Sequence, residues 1–172
     1  LRGVRQFALT ESEHAALQER GDRVWLLRIG AGDASNEKVK EWIERAERDG
    51  IHKRFLCASR KPWYALGSII PPDVLVSPMT NGKFKAVTNP IQAIPSNALY
   101  GLYLDHAALA VPLVRWLNGA VGQTAMAAAA RTYGSGLLKL EPSDLSSISV
   151  PATADLLAES TNEDAVLKAH AQ

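Results

Sequence analysis

The sequence predicts an α+β fold, a mixed and partly antiparallel sheet with helices packed against it. Three stretches carry that prediction. Asn36 to Asp49 places Val39, Trp42, Ile43 and Ala46 at the i, i+3, i+4, i+7 spacing of one buried helical stripe. Asn81-Gly82 lies between the β-forming runs Val74–Val76 and Phe84–Val87, and that dipeptide accepts the positive φ angles of a tight hairpin turn. Asp105 to about Arg131 is rich in alanine and other helix formers.

In chain order, Val4 to Leu9 reads as a strand. Thr10 then opens a helix as a capping box with Glu13, and Gly21 ends it. Val24 to Ile29 is a short, mostly apolar run and is predicted to be a buried strand. Gly30 to Ser35 is a flexible turn before the helix of 36–49, which Gly50 stops. From Ile51 to Leu104 prolines and β-formers dominate, with Ala98 to Leu104 a further strand candidate beyond the hairpin. The helical stretch that follows is expected in two pieces, broken at Pro112 or at Gly119. Leu137 to Leu140 is a short strand after a glycine turn, and Pro142 to Ser146 a single helical turn. The tail after Pro151 is either helical from about Glu163 or frayed. The expected organisation is one domain over 1–151 and an acidic C-terminal tail or helix over 152–172.

With 172 residues, 47% hydrophobic and 22% charged, the chain is the size and composition of one globular domain. That excludes disordered and fibrous classes. No apolar run approaches the roughly 20 residues of a membrane span; the longest, Ala107 to Ala130, is broken by Pro112, Arg115, Asn118 and Gln123. No membrane association is expected. There is no secretory signal pattern, and Leu1 in place of Met suggests a piece of a longer protein. Cys57, the single cysteine, reads as a buried core thiol and suits a reducing cytoplasm.

The net charge of +1 is uninformative, but its distribution is not. Leu1 to Gly50 balances at −1 and Glu141 to Gln172 at −5. Between them Lys53, Arg54, Arg60, Lys61, Lys83, Lys85, Arg115, Arg131 and Lys139 stand against Asp73 and Asp105 alone, a balance of +7. A basic middle is either an anion-binding face or a solvated surface.

The residues of catalysis are missing. His14, His52, His106 and His170 have no second ligand at metal spacing. Gly134-Ser135-Gly136 lacks the five-residue nucleophile elbow, and Gly30-Ala31-Gly32 lacks the third glycine of a dinucleotide loop. No catalytic, cofactor-binding or metal site is expected in these residues. Binding chemistry is richer. Arg60-Lys61-Pro62-Trp63-Tyr64 sets two cations beside two rings, which either stack on bases or pack underneath. Lys83 and Lys85 share a sheet face if Phe84 points inward, suited to phosphate or simply to an exposed edge. Arg131 to Lys139 encloses Gly134, Ser135 and Gly136, either a functional loop that allows close backbone approach or a plain helix stop and turn. The candidate DNA-binding set is therefore Arg60, Lys61, Trp63, Tyr64, Lys83, Lys85, Arg131, Gly134, Ser135, Gly136 and Lys139.

Several of these runs fall into a known order. Gly50-Ile51-His52-Lys53-Arg54, the segment from Cys57 to Tyr64, Pro71-Pro72-Asp73, Thr88-Asn89-Pro90, Ser96-Asn97, Trp116-Leu117-Asn118 and the stretch from Tyr133 to Pro142 are followed by Asp144-Leu145 and Val150-Pro151. Together they resemble the C-terminal target-recognition region of TaqI-like adenine-specific DNA methyltransferases. The agreement covers about Glu41 to Pro151. The first forty residues match more loosely, and Ser135 stands where that family often has a third consecutive glycine.

The resemblance implies a target-recognition-domain-like fold and a role in reading duplex DNA for a restriction–modification methylase. It also implies an upstream methyltransferase domain in the same chain, holding S-adenosylmethionine and an Asn-Pro-Pro-aromatic grip on the flipped adenine. Asn89-Pro90 is followed by Ile91, so it is not that grip. The 172 residues alone are expected to bind DNA, to need no cofactor and to transfer no methyl group. Two other readings stand beside this one. The first is a specificity-subunit-like domain docking on separate methylation and cleavage subunits. The second is a protein-interaction module without a DNA role.

Overall fold

The computed structural model describes residues 7–30 and 32–158. Its helices are α1 (Glu11–Glu19), α2 (Glu37–Arg48), α3 (Phe55–Ala58), α4 (Ala110–Asn118), α5 (Ala120–Ala129) and α6 (Pro142–Ser146). Its strands are β1 (Val74–Ser77), β2 (Met79–Thr80), β3 (Lys85–Thr88), β4 (Tyr100–Leu102), β5 (Arg131–Thr132) and β6 (Leu138–Lys139). Residues 153–158 are also helical. The fold is α+β, as expected. The chain divides into two compact units, Leu1–Arg23 with Pro71–Gln172, and Val24–Ile70.

The first unit is built on two three-stranded antiparallel sheets, ordered β3-β1-β4 and β2-β6-β5. β1 pairs with β3 through Val76↔Ala86 and with β4 through Val76↔Tyr100. Val74 and Val76 point to one face, where they join Phe84, Ala86, Leu113, Val114, Leu117, Met126 and Leu140 in the main core. Leu75 and Val87 point the other way and meet Leu9, with Leu17 of α1 packed alongside. Burial on both faces explains the unbroken apolar run of β1. The sheets are tied where Pro78 separates β1 from β2: Leu140 N–H donates to Pro78 O at 2.9 Å, and Tyr100 Oη to Leu140 O at 3.2 Å.

The open edge of β3 is covered by side chains. Asn118, at the end of α4, donates to Ala86 O (2.9 Å) and Val114 O (2.7 Å) and accepts from Ala86 N–H (3.2 Å). Gln123 donates to Phe84 O and Leu117 O. Further along, Leu9 N–H donates to Thr88 O, and Thr88 N–H to Phe7 O. A bare sheet edge is a template for aggregation, and these contacts close it. Asn89 is buried and plays a similar part, donating to Pro72 O and Ala93 O and accepting from Ala93 N–H. The helical stretch breaks at Gly119, while Pro112 sits inside the first turn of α4, where its missing N–H costs nothing. At Gly122 a Cβ would strike Trp116 O, so glycine lets α5 fold back onto α4.

Three expectations need correction. Val24 to Ile29 forms no strand: Trp25 is 78% exposed, and only Ile29 of the run is buried. A strand needs a ladder partner, and no strand is described within Val24–Ile70 to supply one. The hairpin pairs β1 with β3 as expected, but neither Asn81 nor Gly82 adopts positive φ. The connection is longer because Met79–Thr80 pairs with β6, and Thr80 Oγ1 organises the bend by donating to Lys83 O and accepting from Gly82 N–H. Cys57 is half-buried in the one-turn α3, not a core thiol. Of the strand expected over Val4 to Leu9, residues 4–6 lie outside the described residues, and Ala8 makes a parallel bridge to Thr88. The helix expected from Glu163 also lies outside them. Thr10 caps α1 as expected, its side chain accepting from Glu13 N–H, and Asn36 caps α2 by accepting from Lys38 N–H.

Candidate nucleic-acid interface

The candidates divide between the two units. In the first unit, Arg131, the 134–136 turn and Lys139 belong to one β5–loop–β6 hairpin, closed by Tyr133 N–H donating to Leu137 O at 2.7 Å. Arg131 lies directly opposite Lys139, and Met79 of β2 opposite Lys139 on its other side. Directly paired residues share a sheet face, so the two cations and Met79 stand together, while Leu138 packs against the core. Because β2 runs antiparallel to β6, its chain leaves Thr80 toward the same sheet end as the 133–137 loop. The loop bearing Lys83 and the glycine loop therefore emerge at one end of this sheet. Phe84 is buried, the condition for Lys83 and Lys85 to share a face.

Both hairpin cations carry a carboxylate partner. Arg131 Nε lies 3.4 Å from Asp144, and Lys139 Nζ lies 2.7 Å from Glu141 and 6.0 Å from the Tyr133 ring centroid. Hydrogen bonding and charge from Glu141 raise the Lys139 pKa. The Asp144 pKa is lowered, first by the Glu141 backbone N–H and then by Arg131. Asp144 and Glu141 form the capping box of α6, so the helix start that fixes Asp144 also aims it at Arg131. Neither carboxylate was expected at the site; the Glu-Pro-Ser-Asp spacing is the signal that could have found them.

Within the turn, Gly134 is not at positive φ, but Ser135 (+62°) and Gly136 (+74°) are. A serine in the left-handed region is strained by its Cβ.

In the second unit, Trp63 is the centre of an aromatic cluster. It stacks on Trp42 of α2 at 6.1 Å, meets Tyr64 edge-on at 5.6 Å and His52 at 6.4 Å, and its Nε1 donates to Glu47 at 2.9 Å. Trp63 and Tyr64 are half-buried, Arg60 is half-buried and Lys61 exposed, and the Lys61–Pro62 peptide is cis. The cluster gives Trp63 a packing role and pins the segment that carries the two cations. Among the described residues no group of His, Cys, Asp and Glu could hold a metal ion.

Comparison with known proteins decides the family. The model of the Type II methyltransferase M.Eco57I C-terminal domain matches residues 2–171. The chain belongs to this family. It is 26% identical over 141 residues to the Type II methyltransferase M.AccI of Acinetobacter calcoaceticus, covering 79% of the chain and 26% of that protein. It is 25% identical over 122 residues to the Type II methyltransferase M.XamI of Xanthomonas campestris pv. amaranthicola, covering 69% of the chain and 22% of that protein. The chain thus spans about a quarter of the length of these relatives. No solved structure matches. No helix among the described residues is long and apolar enough to cross a membrane.

Proposed function

We propose that this domain reads duplex DNA as the target-recognition part of an S-adenosylmethionine-dependent, adenine-specific methyltransferase of a cytoplasmic restriction–modification system. The observation that carries the reading is the family match over residues 2–171. In this reading methyl transfer belongs to an upstream domain of the same protein, which binds the cofactor and receives the flipped base. The domain supplies phosphate and base contacts from Arg60, Lys61, Lys83, Lys85 and the Arg131–Lys139 hairpin, with Trp63 and Tyr64 shaping the surface. Gly134, Ser135 and Gly136 bring backbone close to the duplex.

The test is site-specific methylation by the protein carrying this domain joined to its methyltransferase domain. Wild type is expected to label one adenine within a short sequence. Arg131→Ala is expected to relax preference at one position, at about 1–3 kcal/mol if Arg131 meets a base edge, or to weaken all sequences alike if it meets phosphate. Unchanged discrimination in a folded Arg131→Ala protein would remove this hairpin from the reading surface. Methylation of cytosine would overturn the adenine assignment.

A further inference from the structure

A short segment of the second unit has a feature that recognition of phosphates and base edges leaves unused. Phe55 and Leu56, adjacent at the start of α3, are 86% and 67% exposed. Single exposed apolar side chains are ordinary, but this pair has a particular setting. Lys53 and Arg54 precede it, Arg60 and Lys61 follow it, and no Asp or Glu occurs between Asp49 and Asp73. Among the described residues none of these four cations makes an ion pair, in contrast to Arg131 and Lys139. The segment is also held at both ends: the His52 and Trp63 rings meet at 6.4 Å, and Trp63 is stacked on Trp42 and bonded to Glu47. The result is a loop fixed at its base, with an exposed aromatic and an exposed aliphatic side chain between two pairs of cations along the chain.

We propose that Phe55, backed by Leu56, is a wedge that enters the base stack of duplex DNA while Lys53, Arg54, Arg60 and Lys61 hold the flanking phosphates. The charge selects the partner. A purely apolar tip would suit a protein surface, but an apolar tip flanked along the chain by cations without ion pairs matches a polyanion with a stackable interior. Pinning by the aromatic cluster matters because a wedge on a mobile loop would lose ordering entropy on insertion. Pyrimidine–purine steps such as TA, the most easily unstacked, are the expected points of entry. The inference rests on the DNA-reading function proposed above.

The experiment uses the chain with a fluorescein-labelled duplex carrying 2-aminopurine beside a TA step. Wild type should bind in a salt-dependent way and raise the 2-aminopurine emission as stacking is lost. Phe55→Ala should abolish that rise and weaken binding roughly 5- to 100-fold, with an unchanged salt slope and an unchanged melting temperature. Phe55→Trp should retain the rise. Lys53→Ala with Arg54→Ala should instead lower the slope of log Kd against log salt by about 0.9 per cation lost. DNA binding with wild-type affinity and emission in Phe55→Ala overturns the wedge alone. If that variant instead changes the sedimentation mass of the chain, the pair covers a protein interface and the wedge is equally wrong. Absence of DNA binding by the wild-type chain at low salt overturns both the wedge and the function on which it rests.

Discussion

Asn118→Ala should destabilise the first unit by about 2–4 kcal/mol, although Asn118 lies only partly buried at the end of a helix. Its side chain makes three hydrogen bonds, two to Ala86 on the edge of β3 and one to Val114. Each is worth about 1 kcal/mol net, and loss of the amide leaves the N–H and C=O of the fully buried Ala86 without their partner at further cost. Asn118→Asp keeps the acceptor for Ala86 N–H but loses both donated bonds and turns a carboxylate toward two carbonyls. It should be no better than alanine. The assay is urea unfolding followed by far-ultraviolet circular dichroism, with a thermal melt expected to fall by roughly 5–15 °C. A loss below about 1 kcal/mol with an unchanged m-value would refute the edge-closure argument. Loss of DNA binding in Asn118 variants would then need a direct contact to explain it.

Other outcomes follow from the same contacts. Gly122→Ala should cost about 1–3 kcal/mol by calorimetry, because the added methyl meets Trp116 O and forces α4 and α5 apart; a neutral result would mean that the helices yield without strain. Ser135→Gly should leave stability unchanged or raise it by up to about 1 kcal/mol, as positive φ no longer opposes a Cβ. Gly136→Val should lower stability through its φ of +74°, even though its Cβ position is open, so its DNA-binding defect must be compared at matched folded fractions. The depressed Asp144 pKa contributes stability that is present above the ordinary carboxylate range and lost as pH falls through the lowered folded value. Asp144→Asn should flatten that acid limb in pH-dependent melts, and by releasing Arg131 should tighten DNA binding and steepen its salt dependence. An unaltered acid limb would count against the pair.

What could be read in the sequence was what local chemistry decides. The α2 helix has its stripe at Val39, Trp42, Ile43 and Ala46 and its stop at Gly50, all within reach of one another along the chain. β1, β3 and β4 announced themselves by composition. The turn between β1 and β3 did not, because its shape depends on β6 capturing Met79–Thr80, a pairing between segments far apart in the chain. Val24 to Ile29 had the composition of a strand without a neighbour to pair with. The charges of the candidate site were legible as residues but not as partners: Arg131 meets Asp144 only because β5, β6 and α6 fold the hairpin back on itself. Asn89 and Asn118, which helped to mark the family, hold backbone carbonyls and amides in place.

On the reading proposed above, the domain binds duplex DNA through its own cations. That reading is tested most directly by fluorescence anisotropy of the chain with a labelled duplex across about 50 to 200 mM salt. Weak binding is expected, with Kd in the rough range of 10⁻⁴ to 10⁻⁶ M at physiological salt and a log–log slope of about 0.9 per phosphate contact. Binding that does not respond to salt, or no binding at the lowest salt, would contradict the reading.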